Sequence, residues 1–532
     1  MSASVYGIDL GTTYSSIARI SDLGGAEIIP NFEGDQTTPS VVFFEAPESV
    51  VVGDVAKRSA VADPDNACLL IKRHMGTEYP QDFQGEVYSP EAISALILKE
   101  LVRVANQESG GEATKAVITV PAYFGAQERE STRQAGQMAG IEVVGIVTEP
   151  VAAALSIGAR SDRTETIMVY DLGGGTFDTT VLKLGDGQVE VVAVDGNRKL
   201  GGADWDAALV EMIVEKFTAT ADVGDEDPRH DEEFMIDLRL EAESAKISLT
   251  RRESTNLRLA FDGTKSTVEV TRAEFEEATR HLLTQTVEIA ERTVEIAQQK
   301  DPGVSVDRVL LVGGSSRMPQ VTRALTEQLG WQIEDTEFDL AVAKGAAIYG
   351  QAAVDEVIMT GDESSPVGLS ADATPRAFLP GASATLNVQN VLSRSIGVGF
   401  SRGVDDEEGY IRFFAHANDP IPLDPDPIEA QTLVPNQTTV KVRLYEQAGE
   451  RESEVVADNR LITDAHLQLP TGLPEKSPVS MSAQISSEGI VTLVATDGVS
   501  GESIELRGHV SVLSEEQVAA QTKVVESLAL RS

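Results

Sequence analysis

The sequence predicts an α/β protein: a duplicated two-lobe domain over residues 1–354, an antiparallel β-domain over 391–510 and a short helix over 511–532. Three observations carry this. A near-repeat links GIDLGTTYSS (Gly7 to Ser16) with VYDLGGGTFDTT (Val169 to Thr180), whose aspartates, Asp9 and Asp171, lie 162 positions apart. Strand-like and helix-like runs alternate through the first part of the chain, the pattern of an α/β architecture. Beyond residue 390 polar and apolar residues alternate over short spans between turn signals, the pattern of antiparallel strands with one buried face.

Each copy of the repeat is a short apolar run, an Asp, a Gly/Thr turn and more strand. Two such hairpins at this spacing predict a domain that grips something from both sides. KAVITVP (115–121) predicts a buried strand ending at Pro121, and 126–140 a helix stopped near Gly140. EVVGIV is a short strand, and TEPVAAALSIG a helix with Pro150 in its first turn. Residues 232–250 and 271–300 have the apolar spacing of long helices. RVLLVGGSSRMPQVTRAL (308–325) is a strand, a turn and a helix. Residues 355–390 read as a linker or insertion, since 355–385 carries Gly, Pro, Ser, Asp and Ala with weak periodicity. TTVKVRLYE, DAHLQLP, SMSAQIS and GIVTLVAT are strands, separated by PTGLPEKSP, SSEG and DGVSG. LSEEQVAAQTKVVESLALRS closes the chain as a helix, with Ser514 and Gln517 as a capping box.

At 532 residues the chain predicts two to four domains. Acidic residues outnumber basic ones 85 to 43, for a net charge of −42, which argues against a nucleic-acid partner. An acid-rich surface also fits a salt-adapted cytoplasm. The lone Cys68 excludes an internal disulfide and a thiolate metal cluster, and is expected as a small buried apolar residue. The histidines (His74, His230, His281, His416, His466, His509) form no i, i+4 pair, so no histidine metal site is expected. No apolar run approaches the roughly 20 residues that span a bilayer. The first strand starts almost at once after Met1, leaving no room for a signal peptide. The expectation is a soluble, cytoplasmic protein.

Consecutive N–H groups in a Gly-rich turn make an anion-binding concavity. Thr hydroxyls add donors, and an Asp at a strand end can hold a hydrated cation. Mg²⁺ keeps several waters and needs only one or two carboxylates beside substrate phosphates. The chemistry fits a nucleotide triphosphate held by Gly11, Thr12, Thr13, Gly173, Gly174, Gly175 and Thr176. The sequence GxxxxGK[ST] does not occur at these turns, so two facing hairpins replace a P-loop. Lys72, in IKRHMG, is either a solvated surface lysine or a group that stabilises charge on a transferring phosphoryl group. Glu149 either orients water or metal, or is an acid favoured by a helix N-terminus. Gly313, Gly314, Ser315 and Arg317 either admit an adenine ring or form an ordinary strand-to-helix turn.

Taken together these segments resemble the seventy-kilodalton heat-shock chaperones of the DnaK type, over about residues 4–510. The motifs that carry the resemblance are GIDLGTTYSSIA, IKRHMGTEY, VITVPAYFGAQER, VTEPVAAAL, VYDLGGGTFD, LVGGSSRMPQV and KGAAIYG, in the order of an actin-like ATPase core. The short stretch between Met75 and Ala92 resembles the compact form of Gram-positive members. The resemblance implies that ATP and Mg²⁺ bind, with Asp9 and Asp171 in the outer sphere of the metal. It implies that Lys72 is the catalytic lysine, that Glu149 lies near metal and water, and that Thr176 and Asp178 flank the γ-phosphate. Tyr14, Gly201, Gly202, Glu243, Lys246 and Thr250 would contact nucleotide from one side, and Gly313, Gly314, Ser315, Arg317 and Asp339 from the other. Pro121 and Arg129 match the relay between nucleotide and substrate domains. The β-domain, a β-sandwich in the family, would bind extended apolar peptide through backbone hydrogen bonds and an apolar pocket. The pocket candidates are Val398, Phe400, Val440, Val442 and Ile485.

The chain departs from the family pattern in three places. The linker is LNVQN (386–390), with polar residues where the family has an apolar run. SIGVGFSRG (395–403) matches the pocket only loosely, and Ala430 falls near an expected aromatic. The terminal helix is far shorter than the family's helical lid. The expected function is an ATP-hydrolysing, monomeric chaperone acting on unfolded polypeptide with a J-domain co-chaperone and a nucleotide-exchange factor. The alternatives are an ATP-binding, exchange-factor-like peptide module with little hydrolysis, and a small-molecule kinase on the same core.

Overall fold

Strand Val5–Asp9 is the pivot of the first sheet. It runs parallel to Lys115–Val120, itself parallel to Glu142–Thr148, and antiparallel to Tyr14–Ile20, which pairs with Ala26–Ile29. Strand Glu165–Leu172 pivots the second sheet in the same order. It runs parallel to Arg308–Val312, itself parallel to Ile333–Glu334, and antiparallel to Phe177–Gly185, which pairs with Gln188–Asn197. The near-repeat in sequence is thus a repeat of strand order. The computed structural model describes residues 5–531 apart from 110–112, 159–163, 186–187, 222–226, 335–336, 361–375, 379–384, 404–405, 407, 450, 488 and 508–511.

The parallel strands are apolar runs because both of their faces are covered. Ala116 to Val120 are all buried, and so are Ile167 to Leu172. Helices Glu149–Ile157 and Ala341–Thr360 pack between the sheets, and their alanines and glycines allow close approach. A Cβ at Gly345 would meet the Ala152 carbonyl, and one at Gly7 the Ala347 amide. Val5, Val117, Val169, Leu310 and Ala346 join the resulting core. The helix expected over 271–300 is two, Arg272–Ala278 and Arg280–Lys300, broken at buried Thr279.

The segment expected as a linker from 355 to 390 differs from that expectation at both ends. Helix Ala341–Thr360 runs past residue 354. Thr385–Val391 is a strand that adds in parallel to the edge of the second sheet, with Gln188 opposite Asn387, Val189 opposite Val388 and Glu190 opposite Gln389. The edge supplies unpaired backbone groups. Val388 and Val391 are buried with Val189, Val191 and Val194, while Gln389 faces solvent. The strand is itself paired on its other side, antiparallel to Arg376–Phe378 and, at its end, to Pro420–Ile421. The remainder of that segment, 361–375 and 379–384, lies outside the described residues.

Two four-stranded antiparallel sheets follow. One has the order Tyr410–Ala415, Ile396–Phe400, Thr439–Gln447, Asn459–Gln468, and the other Ile428–Gln431, Pro478–Ile485, Val491–Asp497, Ser503–Arg507. Their period-two pattern buries Val479, Met481, Ala483 and Ile485 on one face of a single strand. The sheets share one core, including Val398, Val442, Leu444, Leu467 and Leu493.

The terminal helix is Glu515–Ser527, opened by the Ser514/Gln517 capping box. Its last residues are not helical as expected: Ala529–Arg531 pairs in parallel with Ser49–Val52 of the first lobe. Val525 and Leu528 are the cause, because both are buried in the first lobe's core with Tyr88 and Leu96. Lys99 Nζ donates to the carbonyls of Val525 (2.8 Å) and Leu528 (3.3 Å). The Gln521 amide donates to the Val87 carbonyl at 2.9 Å and accepts from the Ser89 N–H at 3.2 Å.

Candidate active site

The two repeat hairpins meet. Gly11–Thr13 and Gly173–Thr176 face each other across a cavity of about 660 Å³. They interlock closely enough that a Cβ on Gly174 would overlap the Thr13 side chain, and one on Gly175 would overlap Thr12. Arg73 braces the second hairpin, its Nε and Nη2 donating to the Gly175 carbonyl at 2.9 and 2.6 Å and Nη2 to Asp204 at 3.3 Å. Gly313 has φ +80°, and a side chain there would strike Asp171 and the Leu172 carbonyl.

The floor is charged. Lys72, on the turn Ile71–His74, is buried, and its Nζ lies 2.7 Å from Glu149 Oε1 at the start of helix Glu149–Ile157. Of the two readings open for Lys72, the solvated one is therefore excluded. Asp9, at the end of its pivot strand, and Asp171, one residue before the end of its own, lie on the same floor, and Asp9 accepts from Thr119 Oγ1 at 2.9 Å. Burial, with the neighbouring Glu149 carboxylate, pushes the Asp9 carboxyl up to about 7. The same two causes raise Asp171 and Asp178 well above the usual carboxylate range. Among the described residues, the buried Asp178 Oδ1 has no hydrogen-bond partner. Several buried carboxylates gathered around a single lysine fit a hydrated divalent cation, which would be held mainly through its waters.

The far end of the cavity is lined by Tyr14, Glu243, Lys246, Thr250, Gly314, Ser315, Arg317 and Asp339. Arg317 Nη2 pairs with Asp339 Oδ2 at 2.7 Å, and its guanidinium covers the Phe338 ring at 4.5 Å. Lys246 Nζ donates to the Gly202 carbonyl at 3.0 Å and to Asp206 at 2.7 Å. Lys57 Nζ donates to Tyr14 Oη at 2.9 Å and to Glu243 Oε2 at 2.5 Å, so a three-residue bridge joins the lobes over the opening.

The family model described as Hsp70 protein matches residues 5–84 and 80–531. The chain belongs to the Hsp70 family. Two curated relatives, each named chaperone protein DnaK, come from Halobacterium salinarum strains R1 and NRC-1. Each is 36% identical over 537 aligned residues, covering 97% of this chain and 77% of the relative. The α/β lobes with mixed sheets and the paired antiparallel sheets fit an Hsp70 ATPase followed by a β-sandwich.

Not every residue expected at the cleft of this Hsp70-family chain faces it. Gly175, Gly201, Gly202 and Asp178 do not line the cavity. Gly201 and Gly202 support the second clasp from behind: the Gly202 N–H donates to the Gly173 carbonyl at 2.9 Å and the Ala203 N–H to the Gly174 carbonyl at 2.7 Å. Ala203 and Asp206 face the cavity in their place. Arg73, Lys57 and Phe338 were missed. Arg73 adjoins Lys72 in a motif already singled out, whereas Lys57 and Asp206 are ordinary helix residues with no local signal.

Pro121 is buried after strand Lys115–Val120. Arg129 donates to the Phe124 carbonyl at 3.0 Å and lines two recesses formed by Asn390, Val391, Leu392 and Ser393. Val398, Val442 and Ile485 are buried in the β-sandwich core, with Phe400 and Val440 half-buried at its margin. Phe400 stacks on Tyr410 with ring centroids 5.8 Å apart.

Proposed function

We propose that ATP binds with its triphosphate between the Gly11–Thr13 and Gly173–Thr176 clasps and its base toward Arg317 and Glu243. The chain is an ATP-dependent chaperone with ATPase activity. The observation that carries the site assignment is the buried Lys72–Glu149 pair beneath two interlocked glycine clasps. The clasp N–H groups and the Thr12, Thr13 and Thr176 hydroxyls cradle phosphate oxygens. Lys72 stabilises the charge that develops on the γ-phosphoryl group, while Glu149 and Thr176 orient the attacking water. Asp9 and Asp171 would hold a magnesium ion on this floor, where it would supply positive charge against the phosphate oxygens.

Binding at the floor reaches the β-sandwich through Pro121, Arg129 and the strand Thr385–Val391. Nucleotide state then biases affinity for extended apolar segments of unfolded polypeptide, as differential binding requires. The pocket for those segments lies near Phe400 and Val440. A J-domain co-chaperone and an exchange factor serve this cycle, and the chain works as a cytoplasmic monomer. Among the described residues no helix is long and apolar enough to cross a membrane. Neither the non-hydrolysing peptide module nor the small-molecule kinase is favoured, since the family match extends over both the cleft and the β-sandwich.

The test is ATP turnover with and without an unfolded apolar peptide, and with a J-domain partner. Stimulation supports coupled hydrolysis. Calorimetry that finds no adenine-nucleotide binding near millimolar concentration overturns the assignment.

A further inference from the structure

A second cavity, of about 490 Å³, lies where the nucleotide-binding part meets the β-sandwich. Strand Gln188–Asn197 and helix Arg280–Lys300 form one wall, and the segments around Ser393, Asn418 and Gln447 form the other. Its volume lies in the range of small-molecule sites. Its charge runs against the rest of the molecule. In a chain with net charge −42, the described lining residues include five cations, Arg198, Lys199, Arg292, Arg394 and Arg451, against the single carboxylate of Asp195.

Three of the five cations are engaged within the protein. Arg198 pairs with Glu128, Arg292 with Asp195, and Arg394 donates to the Gln447 carbonyl. Lys199 and Arg451 are exposed and, among the described residues, have no ion-pair partner. Lys199 belongs to the nucleotide-binding part and Arg451 to the β-sandwich. Docking the two parts therefore brings like charges together, a repulsion that an anion between them would remove. Arginine forks match the oxygens of phosphate in particular.

We infer that this cavity binds a small, multiply charged phosphate anion and that the bound anion favours the docked arrangement of the two parts. The site is separate from the nucleotide cleft and shares no lining residue with it.

The probe is inorganic pyrophosphate at constant free Mg²⁺, titrated calorimetrically into the full chain. The cleft is filled beforehand, in parallel, with ADP in the wild type and with ATP in the Lys72→Ala variant. The expected result is saturable heat that weakens at least about tenfold when Lys199→Ala and Arg451→Ala are combined in the same background, because two charged contacts are lost. Binding should also weaken as salt rises. Hydrogen exchange at Thr385–Val391 should slow when pyrophosphate is added. Lys199 and Arg451 are exposed, so the double variant should fold. The single charge reversal Lys199→Glu gives an independent reading with the same expected direction. Equal heats in wild type and variants, or no heat up to about 10 mM, overturn the proposal. An acidic peptide that binds where pyrophosphate does not also overturns it.

Discussion

Arg460 sets how firmly the β-sandwich docks. It lies opposite Glu446 on the neighbouring strand and pairs with it, and it also reaches Glu128 of the first lobe at 3.2 Å. The side chains of Glu128 and Glu446 are 1% and 2% exposed. Glu128 has a second cation, Arg198 at 2.7 Å, whereas the only ion pair described for Glu446 is with Arg460. Burial raises the Glu446 carboxyl, and Arg460 opposes that rise. Arg460→Met would leave Glu446 buried and charged without its partner. Removing one member of a buried pair costs about 3–5 kcal/mol. That penalty falls on the docked arrangement, because separation returns Glu446 to water. Docking should weaken between about a hundredfold and a few thousandfold, at about tenfold per 1.4 kcal/mol. The assay is hydrogen exchange at Val388 and Gln389, whose strand pairing exists only when Thr385–Val391 lies on the second sheet. Protection should fall in Arg460→Met and return when Glu446→Gln is added, since no charge is then buried. The loss should shrink as pH falls, because protonated Glu446 is neutral. Unchanged protection in a folded Arg460→Met protein would refute the reasoning.

Replacing Lys72 by Ala should lower single-turnover hydrolysis by about 10²- to 10³-fold while nucleotide still binds by calorimetry; undiminished turnover removes the role given to Lys72. In the nucleotide-free chain, Asp9 holds its proton to about 7, against 3.8 for a free carboxyl. The folded state thus binds a proton that the unfolded chain releases, so stability should fall as pH rises from about 4 to about 7. Asp9→Asn should flatten this slope in thermal melts, and an identical slope contradicts the burial argument. Leu528→Ala should destabilise the first lobe by about 2–5 kcal/mol in denaturant unfolding, since Leu528 is packed in that lobe's core. An effect below about 0.5 kcal/mol would mean that the terminal segment is not part of it.

The duplicated lobes were legible because each copy keeps its whole hairpin contiguous, so Asp9 with its turn and Asp171 with its turn look alike in sequence. The clasps, Lys72 and Glu149 followed from chemistry and resemblance combined. The Lys57–Glu243 bridge was not legible, because it joins two helices 186 positions apart and neither residue stands out locally. The basic cavity was hidden for the same reason: its cations are scattered from Arg198 to Arg451. The terminal strand was missed because ALR has no strand pattern of its own. Its conformation is imposed by the Ser49–Val52 edge and the burial of Leu528. Likewise LNVQN has too few apolar residues to announce a docking strand, since only part of it turns inward.

The pairing of Ala529–Arg531 with Ser49–Val52 bears on how the molecule is made. Strand partners 480 positions apart mean that a segment translated early waits for one translated 480 residues later. Such distant closure is slow in chain-entropy terms. On the ribosome the first lobe emerges with that edge bare and with the surface later covered by Val525 and Leu528 open to water. A half-synthesised molecule of this chaperone therefore displays the kind of apolar surface that its finished form is built to recognise.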